Sequence, residues 1–138
     1  MRRSIVYVCA PYRGTLDEML RNRKLTIDRC RALYELGCHP IAPQLYYPTF
    51  LDEDNPQDRQ FGLDAGLGWL LCMCDEVYVF GDRITEGMQR EIDIATEHNI
   101  PIRMIGENGK PLPSWHSKSG TGKKPFINFI TNQKNVKE

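Results

Sequence analysis

The chain has 138 residues, 18 Lys+Arg against 18 Asp+Glu, and an apolar content of 41%. That length suits one domain with a single core, and the apolar and charged fractions exclude wholesale disorder. The neutral total argues against a dedicated nucleic-acid binder, and the longest apolar run, residues 67–74, is far too short to span a bilayer.

Met1-Arg2-Arg3-Ser4 leads into a short apolar stretch that reads as a first strand rather than as a secretory leader. Residues 4–10 are apolar and rich in β-branched side chains, as a parallel strand buried on both faces requires. Residues 11–14 break it. Thr15 and Glu18 then form a capping box, and Leu16, Leu20, Ile27, Cys30 and Tyr34 follow at near-helical spacing, predicting an inward stripe that ends at Gly37. Residues 39–42 are a short second strand stopped by Pro43. Residues 44–56 read as a loop with Tyr46, Tyr47, Pro48 and the acidic run Asp52-Glu53-Asp54. Thirteen residues is long for a connector, which marks it as a lid or binding loop.

A second helix is expected from about residue 57 to 73, apolar on most sides. Its Gly62, Gly66 and Gly68 cost helix propensity, so close approach of neighbouring chain is their expected reason. Residues 76–80 form a third strand, 86–99 a third helix and 101–105 a fourth strand. From residue 106 the pattern fades into a Gly-, Ser-, Pro- and Lys-rich stretch. Residues 126–130 read as a fifth strand or as an arm that docks on a neighbour. Ser119-Gly-Thr-Gly-Lys-Lys124 superficially resembles a phosphate-binding loop, but Ser117 stands where its first glycine belongs and no strand leads into it, so it reads as a flexible basic tail.

Strand and helix therefore alternate as β-α-β-α-β-α-β. The expected fold is α/β: a flavodoxin-like or Rossmann-like three-layer sandwich with a mainly parallel sheet of four to five strands in the order 2-1-3-4. Residues 1–105 form the domain, and residues 106–138 a basic C-terminal extension. The five cysteines, Cys9, Cys30, Cys38, Cys72 and Cys74, include no C-x-x-C pair, and His39, His98 and His116 are scattered. Reduced thiols, a cytoplasmic setting and neither metal nor cofactor are expected, with Cys30 and Cys72 as small core residues.

In such a sheet a ligand binds at the carboxyl ends of the strands where the order reverses, between strands 1 and 3. Two segments meet there. The first is Pro11-Tyr12-Arg13-Gly14-Thr15, which reads either as an anion site at a helix N-terminus or as an ordinary turn with a solvated Arg. The second is the start of the third helix. Met88, Ile92 and Ala95 define its buried stripe, and Glu91 lies inside that stripe. A carboxylate there is costly unless satisfied or used. It reads as a functional group, or as the partner of an Arg such as Arg13 or Arg59.

These pieces together resemble the nucleoside 2-deoxyribosyltransferase-like superfamily. The resemblance rests on Val6-Tyr7-Val8-Cys9-Ala10-Pro11-Tyr12-Arg13-Gly14, on Cys74-Asp75-Glu76-Val77-Tyr78-Val79, and on Thr85-x-Gly87-x-x-x-Glu91-Ile92-x-x-Ala95 followed by Asn99-Ile100-Pro101-Ile102. Its uncharacterised bacterial and phage branch is the nearest in pattern. Tyr7, Arg13-Gly14 and the hydroxyl of Thr85, six residues before Glu91, are closer to the deoxynucleoside 5′-monophosphate N-glycosidases than to the transferases, which tend to carry Asp at the Thr85 position.

The resemblance implies a hydrolase or transferase acting on the N-glycosidic bond of a (deoxy)nucleoside 5′-monophosphate or related nucleotide. Glu91 would be the nucleophile and Tyr7 its hydrogen-bonding partner, with Arg13, Gly14, Thr85 and Gly87 around the phosphate and Arg59 within reach. Asp64 is the nearest counterpart of the second catalytic carboxylate. It lies eleven residues before Asp75, further than the family spacing, and Asp75 itself reads as structural. Ala10-Pro11 also replaces the Gly-Ser of the glycosidase loop. The alternative is a non-catalytic protein that senses or sequesters a nucleotide. Tyr46 or Tyr47 would stack on the base or simply sit in a surface loop.

The neutral charge conceals a split: residues 1–100 carry a net −5 and residues 101–138 a net +5. An acidic body with a basic extension suggests that the extension docks on its own body or on a neighbour's. The superfamily commonly completes its sites across subunits, so a homo-oligomer is expected. The implied partner is a small nucleotide or nucleoside, not nucleic acid or a membrane.

Overall fold

The computed structural model describes residues 2–105. Four parallel strands, β1 (Ile5–Cys9), β2 (His39–Ile41), β3 (Glu76–Phe80) and β4 (Ile102–Ile105), form one sheet in the order β2-β1-β3-β4. This is the expected flavodoxin-like α/β order. Residues 126–130, expected as a fifth strand or arm, lie outside the described residues.

Alternation along the strands sorts the two faces. Tyr7, Cys9, Val77, Val79, Ile102 and Met104 point to one side and pack with Leu70 of α3 (Pro56–Met73) and Met88, Ile92 and Ala95 of α4 (Glu86–Glu97). Val6, Val8, Tyr78, Phe80 and Ile105 point to the other side and meet Ala32 and Leu33 of α1 (Leu16–Glu35). The parity of β1 thus places Tyr7 beneath the same layer that carries Glu91.

The capping box of α1 is present, with Glu18 N–H donating to the Thr15 hydroxyl and Thr15 N–H to the Glu18 carboxylate at 2.8 Å. The expected inward stripe is not. Leu16, Leu20, Ile27 and Tyr34 are exposed, and α1 turns Thr26, Arg29, Ala32 and Leu33 to the sheet. The small side chains let the helix approach, and the Arg29 guanidinium stacks 5.1 Å from the centroid of the Phe80 ring. Cys72 is likewise exposed rather than a core residue, and Cys30 is half-buried against the α1 side of the sheet.

Residues 44–56 are more structured than the expected loop. They contain most of α2 (Pro43–Tyr46) and a 3-10 turn (Tyr47–Thr49), then a turn capped into α3 by Asn55, whose side chain accepts the Gln57 and Asp58 N–H groups at 2.9 and 3.1 Å. At the start of β3, Asp75 receives a bidentate pair from Arg2 at 2.8 Å and the Ile5 N–H at 2.8 Å. The Arg2 hydrogen bonds, then that N–H, hold its carboxyl down at about 2. Asp75 therefore ties the N-terminus to the sheet, the structural role its sequence position suggested.

Gly81 closes β3 at the reversal point with φ +106°, and a Cβ there would stand 3.0 Å from the Pro11 ring. Glycine is required for the two strand ends to lie this close. No helix among the described residues is long and apolar enough to cross a membrane.

Candidate active site

A cavity of about 290 Å³ opens at the carboxyl ends of β1 and β3. That is near the lower end of small-molecule sites, about 300 Å³ and upward. Two helices build most of it. From α3 come Arg59, Gly62, Leu63, Gly66 and Leu67, spaced as one helical stripe, and from the start of α4 come Glu86, Gly87, Arg90 and Glu91. Tyr12, Arg13, Tyr47 and Glu53 complete the rim from the connections after β1 and β2.

At its base the Tyr7 hydroxyl donates to the Glu91 carboxylate. Tyr7 is fully buried and Glu91 half-buried. Burial raises Glu91 to about 7, opposed by the Tyr7 hydrogen bond, by the Cys9 thiol and by the charge of Arg90. Burial first, and then the Glu91 charge, hold the Tyr7 phenol well above its usual value, so it remains a donor. Cys9, two residues along β1 on the same face, places its Sγ 3.8 Å from the Met88 carbonyl under the first turn of α4. Glu91 is thus not held by an ion pair with Arg13 or Arg59, the alternative its sequence allowed. Gly66 lets α3 reach this dyad: a Cβ there would sit 3.4 Å from the Tyr7 hydroxyl and 3.6 Å from the Pro43 ring.

Thr85 caps α4, its hydroxyl accepting the Met88 N–H at 3.2 Å. It lines the cavity together with Gly87. Arg13, Arg59 and Arg90 also line it, and none forms an ion pair or hydrogen bond among the described residues. Tyr47 is fixed as a wall: the Trp69 indole N–H donates to its hydroxyl at 2.8 Å, and its ring packs against Tyr46, Phe50 and Phe61. Tyr46 is exposed and lies outside the lining, so of the two tyrosines Tyr47 faces the cavity.

Two expected residues are not brought to the site. Asp64 is exposed, accepts a hydrogen bond from the Gln60 side chain at 2.9 Å and does not line the cavity. It lies one residue, about 100° of helix, beyond Leu63 of the lining stripe. Gly14 is exposed and also outside the lining. A Cβ there would stand 2.8 Å from Glu18 Oε1, so Gly14 makes room for the capping box rather than for a ligand. The sequence pattern assigns no role to Arg90, and it holds Tyr12 only as a member of the segment after β1 and Glu53 only as part of an acidic run. The spacing of Glu86, Gly87, Arg90 and Glu91 is the signal that would have found Arg90.

Residues 4–105 match the family model described as a domain of unknown function, DUF7768. The chain belongs to this family. The matched residues are the whole sheet and its helices. No curated protein matches the chain in sequence. Among solved structures, a 2-deoxyribosyltransferase from Bacillus psychrosaccharolyticus superposes with a TM-score of 0.62 at 14% identity, covering 90% of this chain and 100% of the other. A conserved protein from Enterococcus faecalis V583 superposes with a TM-score of 0.52 at 11% identity, covering 98% and 88%. At these identities the likeness is one of fold.

Proposed function

We propose that the cavity cleaves or transfers the N-glycosidic bond of a (deoxy)nucleoside 5′-monophosphate or related nucleotide, with Glu91 as nucleophile. The observation that carries this reading is the Tyr7–Glu91 pair at the base of a cavity lined by Arg13, Arg59 and Arg90, none of them in an ion pair or hydrogen bond among the described residues. The 2-deoxyribosyltransferase fold supports it. Glu91 attacks the anomeric carbon and forms a glycosyl ester while Tyr7 steadies its carboxylate. Arg13, Thr85 and the N–H groups opening α4 take the phosphate, Arg59 and Arg90 supply further positive charge, and Tyr47 stacks on the base. Hydrolysis or transfer to a second base completes the cycle.

In this reading the partner is a small nucleotide or nucleoside, not nucleic acid or a membrane. Residues 106–138 serve as a docking arm in a homo-oligomer, and the free thiols suit a reducing cytoplasm.

The second reading is binding without turnover. It is favoured by Asp64, which faces away and leaves the expected acid missing. Incubation with a panel of nucleosides and 5′-monophosphates, with free base followed by chromatography, separates the two. Release that Glu91→Gln abolishes while binding persists supports catalysis. Tight binding with no release from any substrate overturns it. Arg13→Ala is expected to raise KM for monophosphates roughly 10- to 100-fold, the loss of one charge-assisted hydrogen bond, and to leave nucleosides nearly unaffected. Equal losses on both would remove the phosphate from Arg13.

A further inference from the structure

The proposed reaction needs a group beside the leaving base that gives a proton when the glycosidic bond breaks and takes one when water attacks. This inference rests on the reading of the cavity as a glycosyl-transfer site. Three carboxylates line the cavity: Glu53, Glu86 and Glu91. Glu91 is engaged by Tyr7. Glu86 is exposed in the first turn of α4, on the same helix as the nucleophile. An acid that assists departure belongs on a different wall from the nucleophile, because attack and departure take opposite faces of the anomeric carbon.

Glu53 meets that requirement. It comes from the segment joining the 3-10 turn to α3, six residues after Tyr47, the aromatic wall. The hydrogen bonds of the turn set its direction. The Asp52 N–H donates to Asp58 at 2.9 Å, and the Asp54 N–H donates to Asp52 Oδ1 at 2.9 Å. Asp52 and Asp54 are exposed, while Glu53 between them is half-buried and lines the cavity. Its charge also reaches Tyr12, on the rim after β1: after burial, Glu53 is the next influence that raises the Tyr12 phenol. In the acidic run the Asp52 carboxylate is thus spent on the turn, Asp54 is exposed, and Glu53 is turned toward the cavity.

We propose that Glu53 is the acid and base of the reaction. In the first step Glu91 Oε bonds to the anomeric carbon as the bond to the base nitrogen breaks. That electron pair goes to the base, which takes the proton of the Glu53 carboxyl. In the second step the Glu53 carboxylate takes a proton from water as the water oxygen bonds to the anomeric carbon, and the ester electron pair returns to Glu91.

The test uses the leaving group. Glu53→Gln in the full chain is assayed with deoxyguanosine 5′-monophosphate and with its N7-methylated form, whose base departs without a proton. The expected result is a loss of about 100-fold or more on the unmodified nucleotide. Single-turnover release of 7-methylguanine should stay within about tenfold of wild type, and added azide, a nucleophile that needs no base, should restore steady turnover. Equal losses on the two substrates, or no loss on either, would overturn the assignment. Glu91→Gln run alongside keeps the two ideas apart. It is expected to block both substrates. If it blocks neither, the nucleophile reading fails, whereas a Glu53→Gln profile without leaving-group dependence sinks only the role of Glu53. The pair is run on whichever base of the nucleotide panel the wild type releases, and a wild type that releases none of them removes both.

Discussion

A nucleophilic carboxylate must be ionised, and burial at the base of the cavity raises Glu91 to about 7. Release of a base that departs without a proton, such as 7-methylguanine in a single turnover, is therefore expected to climb with pH through about 7 and to level above it. The Tyr7 hydrogen bond favours the ionised form, so Tyr7→Phe should move this limb to higher pH and lower the plateau by roughly 10- to 100-fold. A pH–rate profile checks both, and an unshifted limb would take Tyr7 out of its supporting role. The same shift has a sign for stability. The folded value lies above the unfolded one, so the contribution is full below the ordinary carboxylate range and is lost as pH rises to about 7. Glu91→Gln should accordingly melt at a higher temperature than wild type above pH 8, and at nearly the same temperature near pH 4.5. Glu91 was legible in the sequence because a carboxylate inside an apolar helical stripe violates the pattern. Glu53 was not singled out, because a turn has no periodicity to violate. Only the hydrogen bonds of Asp52 and Asp58 determine which member of the run turns inward.

At the scale of elements, the glycines of α3 separate a positional demand from an idle one. Gly66 faces Tyr7 and Pro43, and Gly68 has nothing within 4 Å of a Cβ. Alanine at either position gains roughly 1 kcal/mol of helix propensity. Gly68→Ala should therefore raise Tm by a few degrees and leave base release unchanged. Gly66→Ala puts a methyl group 3.4 Å from the Tyr7 hydroxyl and into the cavity lining, where it touches the dyad and narrows the site. We expect its Tm to change little and its activity to fall at least tenfold; thermal melts and initial rates on the two proteins decide. Close packing, expected for all three glycines, holds most tightly at Gly66, is ordinary contact at Gly62 and is absent at Gly68. The strands and their order followed from continuous apolar runs and right-handed crossovers. The rotation of α1 did not, since two stripes compete on it. The one carrying Leu16, Leu20, Ile27 and Tyr34 is the more apolar, yet the sheet takes the one whose small side chains and Arg29 fit against Phe80.

At the scale of the whole molecule, the family match ends at residue 105, where β4, the last strand among the described residues, also ends. The faces of the sheet are covered by α1 on one side and by α3 and α4 on the other, within residues 2–105. The cavity is likewise lined from within that range. A chain stopped after residue 105 should therefore fold in one cooperative transition. The removed segment carries a net +4 and the retained one a net −4, so docking of the extension on the body is an attraction between opposite charges. Salt of about 0.5 M shortens the reach of exposed charges to well under 10 Å. If the extension docks as proposed, the full chain should melt above the shortened one at low salt, and most of that difference should vanish in 0.5 M NaCl. A salt-independent difference would point instead to apolar anchoring through Phe126, Ile127, Phe129 and Ile130. Identical melts at every salt concentration would leave the extension without a place on its own body. Light scattering on the two lengths then tests whether the docking partner is a second copy, because an intermolecular arm makes the larger species disappear on truncation.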